Sequence, residues 1–77
     1  MERHLIHVDE IKETEKGLVI RIHGYDAEQE REFTSILTYE DGFLRGDCLN
    51  PKMRPVSRGC ITLVKTKVLE AIAYYKN

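Results

Sequence analysis

The apolar residues of this 77-residue chain change their period once, and that change limits what it can fold into. Up to about residue 48 they alternate in twos, the period of a strand with one buried face. Leu18, Ile20 and Ile22 share one face, and Val19, Arg21 and His23 share the other. Ile6 and Val8 fall on one side of an apolar stretch that leads to Ile11. From Arg31 the alternation resumes, with Phe33, Leu37 and Tyr39 opposed to Thr34, Ile36 and Thr38. Beyond Ser57 the period becomes helical. Ile61, Val64, Val68, Ile72 and Tyr75 recur at spacings of 3, 4, 4 and 3, which traces one helix face. Leu63, Leu69, Ala71 and Ala73 widen this stripe and predict a well-buried helix, with Lys65, Lys67, Glu70 and Lys76 on its wet side.

Breaks in the pattern place the turns. Lys16-Gly17 ends a polar stretch, and residues 24–30 read as a polar turn. Asp41-Gly42 lies between apolar stretches, and both residues tolerate positive φ, so it predicts a tight hairpin. Gly46 weakens the returning strand or marks a bulge. Pro51 and Pro55 make residues 49–59 a loop. Ser57 is the expected N-cap, and Gly59 moves the expected helix start to about Cys60. The expectation is one α+β domain with strands over about 4–12, 18–24, 31–39 and 43–48 and a helix over about 60–76. The strands form an antiparallel sheet and the helix packs on one face of it. The other face keeps Val19, Ile36 and either Phe43 or Leu44, an apolar surface that predicts a homodimer.

Composition narrows the function. No apolar run approaches the roughly 20 residues of a membrane span, and Met1-Glu2-Arg3-His4 has no apolar leader, so the expected location is cytoplasmic. Two cysteines in so small a chain read as reduced thiols. Ser35 and Ser57 lack a nucleophile-elbow context, the glycines form no phosphate loop, and the acids read as solvated. His4, His7 and His23 lie near the first hairpin without a short metal spacing, and His7 can meet His23 only in one register. The expectation is no catalytic activity and no cofactor.

Cys48 and Cys60, with eleven residues between them, are the candidate metal ligands. Cys48-Leu49-Asn50-Pro51, a basic loop, and Cys60-Ile61-Thr62 at the start of an apolar helix follow a hairpin. Over residues 36–73 this layout resembles a SWIM-type zinc finger, whose pattern is Cys-x-Cys, a variable loop, then Cys-x-His in a ββα unit. Cys48 matches the first ligand and Cys60 the third. Asn50 stands in place of the second cysteine and Thr62 in place of the histidine, and neither is a normal zinc ligand. The resemblance implies binding to nucleic acid or protein in a unit that has lost its metal and is held by Ile61 and Val64.

Charge supplies the last candidate surface. Residues 1–42 carry eleven acids and five bases, and residues 43–77 carry two acids and seven bases, so a net −6 is followed by a net +5. Such asymmetry points to an acidic partner or to self-association. Lys52, Arg54, Arg58, Lys65 and Lys67 form the candidate basic surface, although 58, 65 and 67 do not share a single helix face. Aromatic interleaving is missing there, and the pI of about 6.3 weighs against strong nucleic-acid binding. The expected function is a small interaction module that binds protein or itself. Nucleic-acid binding through residues 52–67 is the alternative.

Overall fold

A computed structural model describes residues 3–49 and 56–76. It contains four strands, β1 (Leu5–Glu13), β2 (Gly17–Asp26), β3 (Arg31–Glu40) and β4 (Phe43–Gly46). A 3-10 turn over Asp47–Leu49 and one helix, α1 (Arg58–Lys76), follow. The strands form one antiparallel sheet in the order β1-β2-β3-β4. No helix among the described residues is long and apolar enough to cross a membrane.

The hairpins follow from local chemistry. Between β1 and β2, the Thr14 N–H donates to the Gly17 carbonyl at 2.8 Å. The Gly17 N–H donates back to the Thr14 Oγ1 at 3.1 Å. Between β3 and β4, Asp41 and Gly42 adopt φ of 51° and 82°, the left-handed pair expected of an Asp-Gly hairpin.

Register assigns every side chain to a face. Ile20 pairs with Leu37, and Ile22 with Val8, on the face that α1 covers. The buried core there comprises Leu18, Ile20, Ile22, Leu37, Cys48, Val56, Cys60, Val64, Val68 and Ile72. One irregularity interrupts the β1–β2 ladder: Val8 faces Ile22 while Glu10 faces Arg21, so Asp9 is an inserted bulge residue. The bulge reverses the parity of β1. Ile6 and Val8 before it and Ile11 after it therefore all pack against the same core.

Several element boundaries differ from the sequence reading, three of them with a local cause, and so does the buried stripe of the helix. β2 runs on to Asp26, because Asp26 continues the inward series of Leu18, Ile20 and Ile22. β4 stops at Gly46, where a Cβ would lie 2.9 Å from the Leu37 Cγ, and the chain turns into the 3-10 segment. α1 begins at Arg58 rather than Cys60, with the Ser57 carbonyl accepting the Ile61 N–H at 2.9 Å. The buried stripe of α1 is Cys60, Val64, Val68 and Ile72, narrower than expected. Leu69, Ala73 and Tyr75 are exposed, since a single sheet face covers only one side of the helix. At the far end of α1, the Lys76 Nζ lies 5.3 Å from the Tyr39 ring centroid.

Candidate functional site

No described element covers the outer face of the sheet. Leu5, Ile36 and Phe43 are 53%, 62% and 65% exposed there, with Val19 and Tyr25 half-buried beside them. Phe43 is thus the fourth-strand residue of this face, and Leu44 packs against the core. Register places Glu10, Glu32 and Glu40 among Lys12, Arg21 and Arg45 on the same surface. Lys12 and Glu10 form an exposed ion pair at 3.3 Å.

At one end of this face the register brings two histidines together. His7 pairs directly with His23, and their rings stack with centroids 4.9 Å apart and 18° between planes. The Nδ1–H of His23 donates to both carboxylate oxygens of Asp9, at 2.7 and 2.9 Å. The bulge makes this contact, because the extra residue lets Asp9 reach the face that His23 occupies. With Nδ1 so engaged, Nε2 is the nitrogen that His23 turns to a ligand or partner. The pair lines a surface depression of about 520 Å³ shared with Leu5, Tyr25, Glu32 and Thr34.

A second polar constellation lies inside, where the end of β2 meets the start of α1. Asp26 is fully buried. Its Oδ1 accepts the Glu28 and Gln29 N–H groups at 3.0 and 3.3 Å and the Ser57 hydroxyl at 2.9 Å. Its Oδ2 accepts the Ser57 N–H at 2.6 Å. Burial alone would raise the pKa of this carboxyl. The hydrogen bonds from Ser57, Gln29 and Glu28 outweigh burial and hold it below its ordinary value. Its charge also sits at the positive end of α1. His4 closes the cluster: its Nδ1 accepts the Ala27 N–H at 3.0 Å and lies 3.6 Å from the Asp26 Oδ1.

The sequence reading missed Asp26 because residues 24–30 read as turn. Its even number was the available signal, since it continues the inward-facing series of β2. Cys60 is buried beside it, and its thiol is pushed up to about 12, first by desolvation and then by the charges of Asp26, Cys48 and Glu28. With no metal bound it is a protonated thiol at neutral pH.

The predicted basic residues are only partly brought together. Arg58 and Lys65, seven positions apart, project from one side of α1, whereas Lys67 is turned about 200° from Lys65. Lys52 and Arg54 lie outside the described residues, as does Asn50 of the finger-like spacing. Cys48 and Cys60 both lie in the core, and the Thr62 hydroxyl is exposed and donates to the Arg58 carbonyl of its own helix at 3.2 Å. No protein family, curated protein or solved structure matches this chain.

Proposed function

We propose that this chain is a non-catalytic interaction module that associates with a second copy of itself through the outer face of its sheet. The observation that carries this reading is the exposure of Leu5, Ile36 and Phe43 on the face opposite the helix. Isolated exposed apolar residues need no explanation, but three large ones on a single face mark a contact surface. The charges support a like partner. Acids and bases are interspersed on the face, Asp9, Glu10, Glu32 and Glu40 with Lys12, Arg21 and Arg45, so a twofold-related copy can set opposite signs against one another. Strands about 30 Å long in a sheet about 17 Å wide offer about 500 Å² per copy. That total of about 1,000 Å² is at the low end of specific interfaces and fits a reversible dimer.

Sedimentation equilibrium over a concentration series tests this. A dimer mass is expected at high micromolar concentration, with Ile36→Glu and Phe43→Glu shifting the protein to monomer while it stays folded. A monomer mass at every concentration overturns self-association. Retention of nucleic acid that is lost on neutralising Arg58 and Lys65 would favour the alternative surface on α1.

A further inference from the structure

His4 precedes β1, Asp26 ends β2 and Cys60 lies in the first turn of α1, yet their ligating atoms all lie within 4.8 Å of one another. Among the described residues no other group of three His, Cys, Asp or Glu side chains converges in this way. We propose that His4, Asp26 and Cys60 form a binding site for a zinc-class divalent cation. This ligand set differs from the finger-like spacing, with which it shares only Cys60.

The donors suit such an ion. Imidazole, carboxylate and thiolate are the three side-chain types that bind zinc, at bond lengths near 2.0–2.3 Å. Tetrahedral angles then separate the donors by about 3.3–3.6 Å, so each pair closes by little more than about 1 Å. The donors' lone pairs are partly in use. Asp26 takes three donors on Oδ1, the oxygen 3.6 Å from the His4 Nδ1, and only one on Oδ2, its less occupied oxygen. His4 is held as the tautomer with its proton on Nε2, because Nδ1 accepts the Ala27 N–H. A cation at Nδ1 replaces that one hydrogen bond.

The surroundings favour the ion as well. The hydrogen bonds that fix Asp26 act as an outer shell orienting a ligand. A Cβ at Gly59 would lie 3.2 Å from the His4 Nε2, a tight contact, so glycine here leaves room for the His4 ring beside α1. The Asp26 carboxylate, fully buried beside the imidazole and the thiol, supplies the negative charge that a divalent cation would neutralise. Binding exchanges the thiol proton for the metal and releases that proton to solvent. The His4 side chain is 21% exposed and opens the site to water for a fourth position. The described core is complete without the ion, because every described buried side-chain polar atom has a partner. The cation therefore adds to a finished fold.

Cobalt(II) added to reduced, metal-free protein tests the site. One equivalent is expected to bind with a thiolate-to-cobalt charge-transfer band in the near ultraviolet, release a proton and be displaced by zinc. His4→Gln, at a partly exposed position, should keep the fold and weaken binding at least about tenfold. Cys60→Ser should remove the band, and if that variant does not fold, His4→Gln decides alone. His23→Gln, in the histidine pair of the outer face, should leave the cobalt affinity and the thiolate band unchanged. Binding without a thiolate band, affinity unchanged in His4→Gln, or binding lost in His23→Gln overturns the proposal. Repeating the titration on monomeric Ile36→Glu separates this site from the dimer reading.

Discussion

The two faces of the sheet are built from the same strands and follow opposite rules. Among the described residues the inner face fully buries one charged side chain, Asp26, and gives that carboxylate four hydrogen bonds. The outer face mixes large exposed apolar side chains with acids and bases and leaves its histidines half in water. Inside, a polar group is tolerated only when fully satisfied, because burial makes an unmet bond costly. Outside, each group can trade protein partners for water, so the surface is free to meet another molecule.

The largest test of this contrast is a pair of substitutions. Asp26→Ala strands the N–H groups of Ser57, Glu28 and Gln29 and should cost on the order of 3–4 kcal/mol, most of what a domain this small holds. Ile36→Glu should change the stability of the monomer by no more than about 0.5 kcal/mol. Denaturant melts of both variants check this, and comparable losses would erase the distinction between the faces.

A smaller effect is expected from acid, measured with chelator present. Asp26 has a folded pKa below the 3.8 of the free side chain. The stability it contributes is therefore fully present above that value and is lost as pH falls through the folded pKa. Melts between pH 7 and pH 2 should show a loss confined to the acid end, and the loss should shrink in Asp26→Asn. An equal acid loss in that variant would assign the effect to other carboxylates.

The smallest effect belongs to the bulge. Asp9→Ala removes a largely exposed contact to His23 and should cost about 0.5 kcal/mol. It should also free the His23 ring, seen as averaging of its NMR signals. A loss of several kcal/mol would mean that the bulge holds the core as well as the outer face.

Where a side chain repeats its strand's rhythm, the fold is readable in the sequence. The alternation from Leu18 to His23, the Asp-Gly hairpin and the helical spacing from Ile61 to Ile72 all appear in the structure. The bulge also left a trace, since Ile6 and Val8 are even and Ile11 is odd, but its position at Asp9 depends on pairing with β2. The stacking of His7 on His23 depends on that same register, which single-strand periodicity does not contain. Gly59 was read as a poor helix residue, and its role became visible only beside His4, a residue far away in the chain. The His4–Asp26–Cys60 cluster was illegible for the same reason: each of its members comes from a different segment.

The link between Asp26 and Ser57 has a consequence for the order of events during synthesis. α1 has no acidic residue in its first turn, and the Ser57 hydroxyl is committed to Asp26, 31 residues earlier. The helix therefore borrows its stabilising charge from a strand that leaves the ribosome before it. Until α1 emerges, the inner face of the sheet waits uncovered and Asp26 lacks the Ser57 bonds. The emerging chain thus exposes its most apolar surface while its final latch is still missing, a state open to chaperones and to aggregation. Once the segment after residue 56 is free, capping the helix and covering the sheet become a single step.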